Sequence, residues 1–144
     1  MNQVRPWLFI GKYRETRNLG LLRSHNIGAM LQLAELVEQP GIETCYLPVE
    51  DGVSLPLHLL QEGITFVQTQ KAQGKRVFIS CGAGISRSAA FVTAVLKETE
   101  NLDLLTALKS VKQKHPDAMP HPAIWQSLCT YYNENIPFLD TLNL

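Results

Sequence analysis

An apolar strand leads directly into a loop of small residues at Val77-Phe78-Ile79-Ser80-Cys81-Gly82-Ala83-Gly84-Ile85-Ser86-Arg87-Ser88. We call residues 81–88 the Cys81 loop. It begins with a thiol and ends beside Arg87, where a helical pattern of apolar residues starts. A strand, a glycine-rich turn and a helix N-terminus in this order are suited to binding a phosphate-sized anion. The thiol adds a nucleophile that can attack the central atom of that anion.

Each part of the Cys81 loop has a chemical reason to be there. Two glycines allow backbone conformations that other residues avoid, so successive N–H groups can turn inward. Arg87 can place a planar guanidinium on two phosphate oxygens. The helix N-terminus and a nearby cation both stabilise a thiolate, which is the attacking form of Cys81. The predicted anion-binding residues are Gly82, Ala83, Gly84, Ile85, Ser86 and Arg87.

Two residues of this loop have alternative interpretations. Ser88 can donate a hydrogen bond to the sulfur, or it can simply occupy the first turn of the helix. Cys81 can be an inert thiol buried in a glycine-rich connection. The second alternative leaves Arg87 unexplained, because a cation at a helix N-terminus is unfavourable unless an anion lies beside it. The pattern therefore favours an anion site.

Strands and helices alternate along the chain, which predicts a single α/β domain with a mostly parallel sheet of four to five strands. In such sheets ligands bind at the carboxyl ends of strands, and Cys81 follows the end of its strand. Asp103 is expected to cap a helix, and Pro122 to begin the last one. Strands are predicted at 7–10, 29–33, 43–49 and 77–80, and helices at 18–25, 56–74, from 86 or 87, from 103 and from 122.

The composition narrows the class of protein. Its 144 residues suit one domain, and thirteen basic residues balance thirteen acidic ones. No net field attracts nucleic acid or an anionic membrane, so we expect neither partner. Three cysteines without paired spacing, and an N-terminus lacking the apolar core of a secretory signal, predict a cytoplasmic protein. The four histidines are scattered, so we expect them at the surface or in helix caps, with no metal and no cofactor.

The Cys81 loop resembles the phosphate-binding loop of the cysteine-dependent protein tyrosine phosphatases, closest to their compact dual-specificity branch. Segments at Leu8-Phe9-Ile10-Gly11, Leu47-Pro48-Val49-Glu50-Asp51 and Pro120-His121-Pro122 extend the resemblance over most of the chain. It implies a dual-specificity-phosphatase-like fold in which residues 1–144 form one catalytic domain. It also implies hydrolysis of phosphotyrosine, with phosphoserine and phosphothreonine as further candidates, through a cysteinyl-phosphate intermediate. No metal or organic cofactor is implied, and phosphate, sulfate or vanadate should bind in the loop.

Such a reaction needs a proton donor for the leaving group and later a base for water. Asp51 ends a predicted strand upstream of Cys81, in an order and spacing that resemble the family's acid loop. Glu50 is the competing acid, and Asp51-Gly52 can also be simple turn chemistry. Side chains alternate along a strand end, so only one of the two carboxylates can face the pocket. We predict that it is Asp51.

One departure from the family pattern concerns Ser80, which stands where a histidine usually precedes the cysteine. The resemblance implies that this histidine helps to hold the thiolate and the loop, so a slower nucleophile is expected. A catalytically weak phosphate- or phosphopeptide-binding module is therefore the alternative function. Sulfur transfer by a rhodanese-like loop is a third hypothesis, although Arg87 and Ser88 suit phosphate chemistry better.

The remaining candidates are peripheral. Lys12, Arg14 and Arg17 can form a basic rim for phosphorylated substrates or an ordinary solvated surface. Gln126 lies near the position of the family's water-orienting glutamine. Cys129 is either a core residue or a disulfide partner for an oxidised Cys81. Loop positions 82, 83, 85 and 86 carry no Lys or Arg, which disfavours phosphoinositides and polyphosphorylated RNA ends. The predicted partner is a phosphorylated protein or peptide bound by a monomer.

Overall fold

Strands and helices alternate in the computed structural model, which describes all 144 residues. None of the helices has the length and apolar character required to cross a membrane. The elements are β1 (Asn2–Arg5), β2 (Leu8–Lys12), α1 (Tyr13–Thr16), α2 (Leu19–Ser24), β3 (Ile27–Gln32), β4 (Glu43–Tyr46), α3 (Leu57–Ala72), β5 (Arg76–Cys81), α4 (Arg87–Glu100), α5 (Leu104–Lys114), α6 (Pro122–Tyr132) and a C-terminal 3-10 helix (Phe138–Asn143).

The five strands form one sheet in the order β1-β2-β5-β3-β4. The pairs β2–β5, β5–β3 and β3–β4 are parallel, and only β1 runs antiparallel to its neighbour. The predicted α/β fold with a mostly parallel sheet is therefore confirmed. Central strand β5 ends at Cys81, which lies opposite Lys12 of β2. The loop that follows it emerges at the edge where the parallel strands end, which is where such sheets bind ligands.

The sheet buries its two faces unequally. Val77, Ile79 and Cys81 belong to a cluster of 31 buried apolar residues, whereas Phe78 belongs to a cluster of five on the other face. This division follows from the alternation of side chains along a strand. Helix α4 is buried on all sides from Ser88 to Leu96. The Cys81 loop thus connects the central strand to the central helix, and both of its ends are held in the core.

The structure also contains elements that the sequence patterns did not indicate. Strand β1 is short and mostly exposed, the α1 turn has four residues, and the 3-10 helix lies at the C-terminus. The strand predicted at 43–49 ends at Tyr46, but the N–H groups of Leu47 and Val49 still donate to Gln32 and Leu33 beside it. Asp103 caps α5 as predicted, and the N–H of Thr106 holds the pKa of its carboxyl below the usual value.

Candidate active site

The backbone of the Cys81 loop leaves its donors free. None of the N–H groups from Gly82 to Ser86 donates a hydrogen bond within the protein. The N-terminus of α4 at Arg87 follows immediately and adds its partial positive charge. These five donors follow a single buried thiol in the sequence, and two of them, at Gly84 and Ser86, belong to buried residues. The loop is therefore built to receive an anion with several acceptor oxygens.

Gly84 is the glycine that the loop cannot replace. Its φ is +70°, and a Cβ added there would lie 2.8 Å from the carbonyl carbon and oxygen of Gly11. The loop therefore packs directly on the backbone at the end of β2, where a side chain cannot fit. Gly82 lies against the arginine instead, with its Cβ position 3.0 Å from Nη2 of Arg87.

The loop carbonyls point away from the cradle and are anchored by neighbouring segments. Three carbonyl oxygens of the loop accept hydrogen bonds from these segments. The side chain of Ser86 is a fourth anchor, because its Oγ accepts a hydrogen bond from the N–H of His121 at 2.9 Å. The three carbonyl contacts are Gly82 O with Tyr13 N (3.3 Å), Gly84 O with His115 Nε2 (2.6 Å) and Ile85 O with Met119 N (2.8 Å).

The nucleophile candidate lies beside Ser88. Sγ of Cys81 is 3.1 Å from Oγ of Ser88, and the two residues are 2% and 0% exposed. The serine hydroxyl can donate to a thiolate at this distance, although it also occupies the first turn of α4. The structure thus places Ser88 where its hydroxyl can donate a hydrogen bond to the sulfur, which is the first of the two interpretations of this residue.

Arg87 connects two loops of the site. Its Nη1 donates to the carbonyl of Val49 at 3.0 Å, whereas its Nε is buried and has no partner. Nη2 faces Gly82. One nitrogen therefore fixes the guanidinium, while Nε and Nη2 form a free fork on the side of the Cys81 loop. This is the geometry that binds two oxygens of a phosphate.

The Asp51 loop, residues 47–56, crosses the same edge of the sheet. It is held through Val49 at one end, and at the other by the N–H of Leu55, which donates to Oγ of Ser127 at 2.9 Å. Asp51 and Glu50 are both exposed, and a carboxylate oxygen of Asp51 accepts from the N–H of Gly52. The arginine contact places this loop beside the Cys81 loop, and the choice of Asp51 over Glu50 stays a prediction.

Ser80 lies within the sheet rather than in the loop. It is buried and stands between Gly11 of β2 and Gln32 of β3 in the strand register. Because neighbouring side chains on a strand point to opposite faces, Ser80 lies on the face opposite to Cys81. A residue at this position can support the loop only through the sheet beneath it.

The peripheral candidates lie apart from this constellation or at its rim. Lys12, Arg14 and Arg17 are exposed. Gln126 lies on the exposed face of α6, with its Nε2 3.4 Å from Oγ1 of Thr130. Cys129 is buried in the main core, and burial raises the pKa of its thiol, as expected for a residue that packs rather than reacts.

Two supporting residues did not emerge from the sequence as contacts of the site. His115 ends α5 as its C-cap, in line with the cap expectation, but its ring also reaches Gly84. Ser127 anchors the Asp51 loop from α6. The only available signal was Pro116, which requires the chain to leave the helix. Nothing in the pattern showed that the following segment returns to the Cys81 loop.

Comparison with known proteins identifies related chains. Residues 8–134 match the family model described as the catalytic domain of dual specificity phosphatases. Mouse Dual specificity protein phosphatase 19 is 30% identical over 132 residues, which cover 89% of this chain and 60% of the mouse protein. The crystal structure of human DUSP28 has a TM-score of 0.86 at 26% identity, covering 92% of this chain and 96% of that one. A mouse putative dual specificity phosphatase complexed with zinc tungstate also has a TM-score of 0.86, at 28% identity, covering 92% and 86%.

Proposed function

We propose that this chain, which belongs to the dual specificity phosphatase family, hydrolyses phosphomonoesters of proteins through a cysteinyl-phosphate intermediate. One observation carries the proposal. The thiol of Cys81 lies at the start of a loop with five free N–H groups, next to an arginine fork with an unpartnered Nε. Nucleophile and anion-binding groups therefore converge on one small volume.

In the first step the thiolate of Cys81 attacks phosphorus, so an S–P bond forms while the P–O bond to the leaving group breaks. Asp51 gives its proton to the departing oxygen. The loop N–H groups and Arg87 stabilise the charge that spreads over the three other phosphoryl oxygens. Since these donors are already oriented, they stabilise the transition state without having to reorganise.

In the second step water attacks the phosphorus of the intermediate and Asp51 accepts a proton from it. The S–P bond breaks and phosphate leaves. The thiolate is the leaving group in this step, and the hydroxyl of Ser88, 3.1 Å away, donates a hydrogen bond that stabilises it. Asp51 thus acts first as acid and then as base.

We propose that phosphoserine and phosphothreonine are accepted together with phosphotyrosine. Gly82, Ala83 and Ile85 of the Cys81 loop are exposed, so the loop lies close to the surface. A shallow site lets the short serine and threonine esters reach the sulfur. The mouse relative was crystallised as a complex with zinc tungstate, and tungstate is a tetrahedral oxyanion like phosphate, which supports oxyanion binding by this chain.

The binding-module alternative has less support. The mouse relative at 30% identity and a rat relative at 25% identity are both named dual specificity protein phosphatases. Ser80 changes the support beneath the loop, but it leaves Cys81, Arg87 and Ser88 in a geometry suited to turnover.

We also propose that residues 1–144 act as a single catalytic domain and as a monomer, because every group of the site comes from one chain. The three cysteines are unpaired, in keeping with a reducing compartment such as the cytoplasm. The formal net charge of zero provides no attraction for nucleic acid or a membrane surface.

Replacing the nucleophile tests the proposal. Cys81→Ser should lower kcat on an aryl phosphate by about 10⁴-fold or more, because the attacking thiolate is lost. Cys45→Ser, at a half-buried cysteine of β4, is the matched control and should behave as the wild type. Wild-type turnover should be inhibited by vanadate competitively. Full activity in Cys81→Ser contradicts the mechanism, and vanadate binding without any turnover would favour the binding module.

A further inference from the structure

Of the three carbonyl anchors of the Cys81 loop, only one depends on a side chain. Tyr13 and Met119 anchor Gly82 and Ile85 through backbone N–H groups, which any residue at those positions supplies. Gly84 is anchored by the imidazole of His115, with 2.6 Å between Nε2 and the carbonyl oxygen. The identity of a single side chain therefore sets the orientation of the Gly84–Ile85 peptide.

That orientation decides where the next N–H points. In a trans peptide the C=O and the N–H lie in one plane and point in opposite directions. His115 holds the Gly84 oxygen on the outer side of the loop, so the N–H of Ile85 must face the inner side, towards Cys81. This N–H has no partner in the protein. Gly84 has a φ of +70° and no side chain to restrict rotation of this peptide, so an external anchor has an orientation to hold.

The two hydrogen bonds of the imidazole suit one tautomer of its neutral ring. A carbonyl oxygen can only accept, so Nε2 must carry the hydrogen. Nδ1 lies 2.7 Å from the side-chain nitrogen of Asn2, and in the neutral ring it accepts the hydrogen bond from that amide. Strand β1 thus orients the ring, the ring orients the peptide of Gly84, and the peptide presents a donor to the anion.

We propose that His115 is a positioning residue for the anion cradle, which it serves by holding the Gly84–Ile85 peptide with the N–H of Ile85 facing Cys81. The expected effect of His115 on turnover rests on the proposed function, whereas its expected effect on anion binding does not depend on catalysis. Loss of the anchor allows this peptide to rotate, which replaces a donor in the cradle with a carbonyl oxygen.

The experiment compares two substitutions of similar size. His115→Gln keeps an N–H that can reach the carbonyl of Gly84, whereas His115→Met fills the same space without a donor. The measurements are kcat and KM on an aryl phosphate, the inhibition constant of vanadate, and thermal unfolding. Gln113→Ala, an exposed neighbour at the end of α5, controls for disturbance of the helix end.

We expect His115→Met to lower kcat about a hundredfold, the lower end of the range known for losing an oxyanion-hole donor. Vanadate should bind more weakly by a similar factor. His115→Gln should stay within about threefold of the wild type in both, and the two variants should unfold at similar temperatures. Equal kcat and equal vanadate affinity in the Met and Gln variants overturn the inference. If the wild type shows no turnover, the proposed function fails. In that case, weaker vanadate binding by the His115→Met variant than by the His115→Gln variant still supports the positioning role.

Discussion

The two loops that make up the site are held in different ways. The Cys81 loop lies between a buried strand and a buried helix, and its backbone oxygens and the Ser86 hydroxyl are anchored by three neighbouring segments. The Asp51 loop is exposed and is held mainly at its ends, through Val49 and Leu55. Binding and nucleophilic attack thus rely on a preorganised element, while proton transfer relies on a lightly held one. A substitution that disturbs the Cys81 loop should therefore strongly lower activity on every substrate. A substitution that disturbs the Asp51 loop should instead change how strongly the rate depends on the leaving group.

Apart from the loss of the nucleophile itself, the largest effect is expected from Gly84→Ala. The left-handed backbone disfavours alanine by about 1–2 kcal/mol, and the new Cβ would also lie 2.8 Å from the backbone of Gly11. The loop must move away from β2, so we expect kcat on an aryl phosphate to fall more than about a hundredfold, as when oriented transition-state donors are lost.

Gly74→Ala separates strain from collision. Gly74 has a similar φ of +78° and nothing within 4 Å of its Cβ position. This variant should lose a similar amount of stability through backbone strain and keep its kcat, as measured by thermal unfolding and steady-state kinetics. Equal activity in the two variants would show that the contact with Gly11 does not shape the loop.

A smaller and more selective effect is expected from Asp51→Asn. General acid catalysis typically contributes about 10²–10⁴-fold, and most for poor leaving groups. The kcat of a phosphothreonine peptide should therefore fall by about a hundredfold, the lower end of that range, whereas an aryl phosphate with a good leaving group should be affected less. Because Asp51 must be protonated to act as the acid, the fall in rate on the alkaline side of the pH profile should be flattened in the variant. Glu50→Gln is the control, and finding the loss there instead would transfer the acid role to Glu50.

The smallest effect is expected from Ser127→Ala, which removes the acceptor for the N–H of Leu55. A buried donor left without a partner costs about 1–3 kcal/mol of stability. Turnover of the phosphothreonine peptide should fall a few-fold and vanadate binding should be unchanged, because only the Asp51 loop loses an anchor. Ser24→Ala, at an exposed serine of α2, controls for the loss of a hydroxyl. Weaker vanadate binding in Ser127→Ala would mean that the two loops are not independent.

The sequence predicted more of the Cys81 loop than of the Asp51 loop for a physical reason. Cys81, Gly84 and Arg87 act within seven consecutive residues, so their spacing within one strand–loop–helix unit predicts that they lie together. Asp51 reaches the site through a separate strand, and its partner Ser127 lies on the last helix. Short-range patterns cannot indicate such contacts, because they depend on how distant segments pack.

The sequence alone determined the α/β fold, the strand–loop–helix that carries Cys81, and the family to which the chain belongs. The fold and the strand–loop–helix follow from local periodicity, glycine placement and the charge of Arg87, which act over a few residues, whereas the family was indicated by the resemblance of the Cys81 loop to a known phosphate-binding loop. Only the tertiary structure revealed that His115 anchors Gly84, that Arg87 joins the two loops through Val49, and that Ser80 faces away from the sulfur. Hydrogen bonds of this kind require particular atoms from remote segments to come within about 3 Å, and only the folded chain brings them to that distance.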